Sequence, residues 1–227
     1  MNKGAIRLYK KLKSKDYHPE NICEVGVYLP QESNLLNFIK EDIKTTLIEA
    51  NPEYVKNIRS FFSEKKNVKI IEAAVFDFDG KIELCKKGAS SFISELKSSP
   101  AIINDHYKKD GEKFIANSIV FSEIDQGDFD LVSVDIEGAE WYVIKHMISR
   151  PNVISIETHG KYYTNPNILE IEKWMKSNDY MIWYKDESDS IYIKNGIFKI
   201  SFLEKIQLLL RNLKINIHKQ EKILKKQ

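Results

Sequence analysis

Short apolar runs rich in β-branched residues recur along the chain, and most are followed by apolar positions spaced three or four apart. The first pattern suits strands buried on both faces of a parallel sheet; the second marks one face of a helix. Strands are thus predicted at 21–27, 45–49, 68–75, 131–136 and 153–157, with helices at 31–41, 52–64, 139–149 and 167–178. Pro52 suits a first helical position. Two further strands are predicted near 181–184 and 190–194. This alternation of strand and helix implies a parallel sheet with right-handed crossovers. Two stretches depart from it. Asp79-Gly80, between alternating segments, predicts a hairpin. Residues 86–118 show no clear period and are polar and lysine-rich, which reads as a lid or substrate loop.

Each end of the chain carries an amphipathic helical pattern. At 5–13, Ile6, Tyr9 and Leu12 fall on one face. From Ser201, the positions Phe202, Ile206, Leu209, Leu210, Leu213 and Ile217 form one apolar stripe, with Ser201 and Glu204 spaced as a capping box. Three destinations compete for that stripe: its own domain, a second copy of the chain, or an anionic membrane surface. Pairing as a homodimer is the favoured expectation, because the tail lysines stay solvated there. The domain organisation that follows is a basic helix at 1–18, one α/β domain at 19–198 and a basic amphipathic helix at 199–227.

With 42% hydrophobic and 30% charged residues in 227, one sizeable core is expected. No run is long and apolar enough for a transmembrane helix, and the first residues lack the apolar core of a signal peptide, so a cytoplasmic location is expected. Cys23 and Cys85 sit in apolar strand-like runs and read as buried free thiols. The net charge of +2 is unevenly spread: residues 1–16 hold six Lys/Arg against one acid, and residues 199–227 hold eight against two. An acidic body with two basic ends is not the surface of a general nucleic-acid binder.

The acids gather where chemistry is expected. Asp135, Glu137 and Glu140 follow the apolar run Leu131–Val134, at the carboxyl end of a strand, where open α/β sheets bind ligands. Glu24-Val25-Gly26 ends the first strand and Glu49-Ala50-Asn51 the second. An acid ending the second strand can accept from both ribose hydroxyls of an adenosine group. The first turn, Gly26-Val27-Tyr28-Leu29-Pro30-Gln31, has one glycine and lacks the fingerprint that cradles a pyrophosphate, which disfavours NAD.

Val134-Asp135-Ile136-Glu137-Gly138-Ala139-Glu140 resembles the signature of the FkbM-type methyltransferases, S-adenosylmethionine-dependent enzymes with a Rossmann-like fold. Also similar are Glu24-Val25-Gly26, Leu47-Ile48-Glu49-Ala50-Asn51-Pro52, Glu72-Ala73-Ala74-Val75 with Asp79-Gly80, Ala89-Ser90-Ser91, and Ile156-Glu157-Thr158-His159-Gly160. Together they cover most of residues 20–195; the family more often has a second glycine in the first motif. The resemblance implies a class I methyltransferase fold: a mostly parallel seven-stranded sheet with helices on both faces, here followed by the C-terminal amphipathic helix. It implies that Glu24 and Gly26 face the methionine part of the cofactor, Glu49 the ribose, and Ala73 and Ala74 the adenine. Tyr28, Ser33, Ala50, Asn51 and Asp135 complete the expected cofactor set.

Methyl transfer to a sugar or glycan hydroxyl is the activity this implies, with another small hydroxylated metabolite as the alternative acceptor. A partner-binding protein on a degenerate methyltransferase fold is the non-enzymatic alternative. A sugar hydroxyl is weakly acidic and needs a base or a metal. Asp135, Glu137, Glu157 and His159 are the candidates; His159 has the unperturbed pKa best suited to a base, about 6.5. A carboxylate pair could instead hold Mg²⁺. Spacing leaves base and metal both open, and no metal ligand is assigned.

Overall fold

The structure is a computed structural model that describes residues 3–224. Its strands, in chain order, are β1 (Asn21–Val25), β2 (Lys44–Glu49), β3 (Val68–Glu72), β4 (Ala74–Val75), β5 (Gly80–Cys85), β6 (Phe92–Ile93), β7 (Lys113–Ile119), β8 (Leu131–Val134), β9 (Val153–Glu157), β10 (Tyr180–Lys185) and β11 (Asp189–Lys194). The helices are α1 (Lys3–Ser14), α2 (Leu36–Lys40), α3 (Pro52–Phe61), α4 (Pro100–Asn104), α5 (Glu140–Ile144), α6 (Ile168–Ser177) and α7 (Phe202–Leu224).

Seven strands form one sheet in the order β10-β11-β9-β8-β1-β2-β3. β1, β2, β3, β8 and β9 are parallel, while β11 runs antiparallel to both β9 and β10. This is the Rossmann-like class I methyltransferase architecture. All residues of β1, β8 and β9 are buried, as their apolar character requires in a sheet covered on both faces. The strand order reverses where β1 lies between β2 and β8, and a crevice opens outside the carboxyl ends at such a point.

Three readings of the sequence are corrected. The run 68–75 is not one strand: β3 stays in the main sheet through Glu72, while β4 leaves it for a second, four-stranded sheet ordered β4-β7-β5-β6. The turn at Asp79-Gly80 does not close a hairpin, because β7 comes between, pairing parallel with β4 and antiparallel with β5. Residues 86–118 are therefore not a structureless lid; they supply β6, α4 and most of β7.

Two predicted helices are also shorter than expected. The 31–41 segment splits into a 3₁₀ turn at Pro30–Glu32 and α2, because buried Glu24 accepts from the Ser33 hydroxyl (2.5 Å) and the Asn34 amide (2.7 Å) in the gap. The helix after β8 ends at Ile144. Beyond it the Asp125 carboxylate takes the amides of Ile148 and Ser149, both at 2.8 Å, and folds the chain back.

α1 lies against the sheet, burying Ala5, Leu8 and Leu12 rather than Ile6; Leu8 and Leu12 pack with Ile22, Leu35, Phe38 and Trp183. α7 begins with the expected capping box: Glu204 accepts from the Ser201 amide (2.8 Å), and Ser201 Oγ accepts from the Glu204 amide (3.3 Å). Of the three destinations open to the stripe, packing on its own domain is not the one taken. Leu208, Arg211 and Ile215 face the domain, while Phe202, Leu209, Leu210, Leu213 and Ile217 are more than half exposed. Both cysteines are free and buried. Among the described residues no helix is long and apolar enough to cross a membrane.

Candidate functional site

A cavity of about 290 Å³ opens at the carboxyl ends of β1, β2 and β8. Its sheet side is formed by Glu24, Gly26, Glu49, Ala50 and Asp135, and Ala73 and Ala74 line it where the chain passes from one sheet to the other. The second sheet closes it with Leu84, Phe92, Ile93 and Phe114, none of them singled out as a site residue, though the last three fall in the 86–118 stretch read as a lid or substrate loop. Tyr54, packed edge-on against Tyr28 with ring centroids 4.7 Å apart, was also missed. Within the 86–118 stretch the resemblance pointed to Ala89-Ser90-Ser91, of which Ala89 and Ser91 reach the cavity.

The first turn explains its single glycine. Gly26 has φ +87°, and a Cβ there would stand 1.9 Å from the Asp135 carbonyl oxygen, so the strand ends close together only over glycine. Tyr28 follows in the left-handed region at φ 59°. The turn is held from below by Glu49, whose Oε2 accepts from the Val27 (3.1 Å) and Tyr28 (2.9 Å) amides and whose Oε1 accepts from the Asn51 amide (2.8 Å). Glu49 is thus a brace of the turn as well as part of the cavity wall. Burial raises its pKa against the pull of those amides.

Glu24 is pushed up to about 7, chiefly by burial, with Ser33 and Asn34 acting in the opposite direction. Ser33 and Asn51, both expected to meet the cofactor, stand behind the wall. Ser33 donates to Glu24, and Asn51 caps α3 by accepting from the Glu53 amide (2.9 Å).

The acids after β8 divide by role. Glu140, fully buried, is satisfied: Oε1 accepts from the Ile136 (3.1 Å) and Gly138 (3.0 Å) amides, and Oε2 from the Asn165 side chain. It shapes the turn. Asp135, Glu137 and Glu157 instead bring one oxygen each to within 4.8 Å of one another. Ser90 bonds to the Glu137 carboxylate, yet Glu137 Oε2 and Glu157 Oε2 are buried with no hydrogen-bond partner among the described residues. Burial raises all three pKa values first; nearby acids add to it, Glu140, Glu24 and Asp186 for Asp135, which is pushed up to about 7, and Asp135 and Glu140 among others for Glu137 and Glu157. Asp135 and Glu137 line the cavity; Glu157 joins them from the end of β9.

His159 does not join them as a base. Its Nε2 donates to the Asp186 carbonyl (3.2 Å) and its Nδ1 meets Thr158 Oγ1 at 3.0 Å. Burial lowers its pKa to about 4. A ring so weakly basic and engaged at both nitrogens is a poor proton acceptor, so that candidacy is corrected: the strand end turns under the 186–189 loop, where the Ser188 carbonyl accepts from the amides of Thr158 and His159 at 3.1 Å.

The model of the methyltransferase FkbM domain family matches residues 24–182, which spans every element of the site. No curated protein sequence matches the chain. Among solved structures, the methyltransferase domain of bacterial CtHen1 is similar at 8% identity and a TM-score of 0.48, over 83% of this chain and 95% of that one. The SAH-bound methyltransferase PaMTH1 of Podospora anserina is similar at 12% identity and a TM-score of 0.45, over 85% and 78%.

Proposed function

The chain belongs to the methyltransferase FkbM domain family, and from that premise we propose that its cavity takes S-adenosylmethionine and that the methyl group passes to a hydroxyl of a sugar or glycan. The observation that carries the cofactor reading is the charge of the wall. Glu24, Glu32, Glu49, Asp135 and Glu137 line the cavity, and among the described residues no Lys, Arg or His does. Such a wall attracts a cationic ligand and repels a phosphorylated one. It suits a sulfonium with an amino group, and it agrees with a first turn that has one glycine and no phosphate cradle.

The residues divide the work by position. Glu24 and the Gly26 backbone hold the methionine end, Glu49 accepts from the ribose, and Ala73 and Ala74 leave flat apolar room for the adenine. When bound, the cofactor supplies an electrophilic methyl group: the O–CH₃ bond forms as the C–S bond breaks and sulfur keeps the pair. Asp135, partly open to the cavity at the end of β8, takes the hydroxyl proton. The acid-rich end of the site suits an acceptor with several hydroxyl donors, which is the support for a carbohydrate.

Calorimetry with S-adenosylmethionine tests the first half. Saturable binding by the wild type is expected, with weaker binding by Glu24→Gln; no binding by the wild type would overturn the reading and favour a partner-binding role. Transfer of a labelled methyl group to a glycan panel, set against small hydroxylated metabolites, tests the second half.

A further inference from the structure

We propose that Asp135, Glu137 and Glu157 form a seat for one hard divalent cation of the Mg²⁺ or Mn²⁺ class at the cavity wall. The binding stands on its own geometry; its use in catalysis rests on the methyltransferase reading above. Three carboxylates from the ends of two adjacent strands bring an oxygen each within 4.8 Å of one another. Among the described residues no ion pair joins any of them to a Lys, Arg or His.

Acidic clusters alone are common. What sets this one apart is its unmet hydrogen bonding. Glu137 Oε2 and Glu157 Oε2 are buried without a partner among the described residues, and so is the hydroxyl of fully buried Tyr163, which stands 3.3 Å from where a Cβ on Gly138 would lie. Buried polar atoms are almost always paired, so three orphans at one place call for a missing group. Neighbouring Glu140 shows that the same loop can satisfy a buried carboxylate when its role is structural. The donors are oxygens only, which selects a hard cation over zinc or copper.

Asp135 and Glu137 also line the cavity, so the positions left open on a cation there face the acceptor. A hydroxyl bound in one of them becomes more acidic. An Asp135 carboxylate that gives one oxygen to the cation keeps the other to accept the proton as the O–CH₃ bond forms and the C–S bond breaks.

The test titrates Mn²⁺ into EDTA-treated, dialysed full-length protein, followed by electron paramagnetic resonance, and measures S-adenosylmethionine binding on the same samples. One Mn²⁺ per chain is expected, displaced by excess Mg²⁺, with binding weakened roughly tenfold or more in Glu157→Gln. Because Glu157 does not line the cavity, that variant is expected to keep its cofactor affinity. Should it fail to fold, the wild-type titration decides. No Mn²⁺ bound by folded wild type at millimolar concentration overturns the proposal, even where S-adenosylmethionine binds and the methyltransferase reading stands. Mn²⁺ bound without any cofactor binding supports the cation seat and sinks the methyltransferase reading. Undiminished binding in both Glu157→Gln and Glu137→Gln places the ion elsewhere and also overturns it.

Discussion

The two terminal helices look alike in sequence, each basic and amphipathic, yet they dock in opposite ways. α1 turns its apolar face inward, with Leu8 and Leu12 in one cluster with Trp183. α7 turns much of its apolar stripe outward and is anchored by polar contacts. Glu204 accepts from Lys11 (3.0 Å), Lys15 (2.7 Å) and the Trp183 indole (2.8 Å), while Arg211 donates to the Asp186 carbonyl. Trp183 serves both helices: α1 packs on its ring, and α7 satisfies its N–H. An apolar stripe therefore shows that a helix is amphipathic, not which face its own domain covers. A buried indole N–H, Lys11 on α1 and Lys15 just beyond its end decide that here.

The largest expected effect is on the α1 side. Leu12 is fully buried, so Leu12→Ala is expected to destabilise by about 2–5 kcal/mol, the range for opening a cavity in a packed core. Chemical denaturation measures it. A loss below about 1 kcal/mol would show that α1 is as loosely held as the outer face of α7, and the contrast would collapse.

Next comes the polar anchor. Glu204→Ala leaves the buried Trp183 N–H without its acceptor and takes the carboxylate partner from Lys11 and Lys15. A loss of about 1.5–3 kcal/mol is expected, as for a hydrogen bond to a charged group. Trp183 emission should shift to the red as α7 lifts away. An unchanged spectrum would mean that the inward face of α7, Leu208, Arg211 and Ile215, and not Glu204, holds the helix.

What the sequence made legible follows the range of the interactions involved. β1, β2, β8 and β9 were readable because a strand buried on both faces is apolar along its length. The Ser201–Glu204 capping box was readable because both partners lie within one turn. β7 was not: in Lys113–Ile119 only Ala116 and Ser118 are buried, and its partners lie 28 to 44 residues upstream in β5 and β4. At the site, Gly26, Glu49 and Asp135 were found from their places at strand ends. Nothing local separates Glu140, which ties a turn, from Glu137, which does not. His159 was misread for the same reason, since the carbonyl that engages it belongs to Asp186.

A smaller effect is expected from acid, and its sign separates the two helices again. Partial burial alone would raise the Glu204 pKa, but Lys15, the Ser201 amide, Lys11 and Trp183 together hold it well below the usual carboxylate range. A depressed carboxylate contributes stability that is present above its unfolded value, about 4.3, and is lost as pH falls towards the folded value. The α7 contact should therefore weaken below about pH 4, read by Trp183 emission, while the apolar α1 contact does not respond directly. If Glu204→Ala shows the same emission change over that range as the wild type, Glu204 is not the group that titrates.

The smallest effect is expected on the stripe itself. Leu209 and Leu213 are 60% and 51% exposed, so replacing both with Ser removes little that the single chain buries. Stability in dilute solution should stay within about 0.5 kcal/mol, as for surface positions away from packed features. Light scattering on the same samples addresses the pairing expected from the sequence. A wild-type mass twice that of the variant, with a wild-type melting temperature that rises with protein concentration, would show a second copy covering the stripe, because association stabilises only the folded chain. Equal masses would remove the second copy and leave α7 held by Glu204 and its partners. A loss above about 2 kcal/mol without any change in mass would be too large for exposed leucines, and would mean that the stripe packs on its own domain after all, which would erase the contrast with α1.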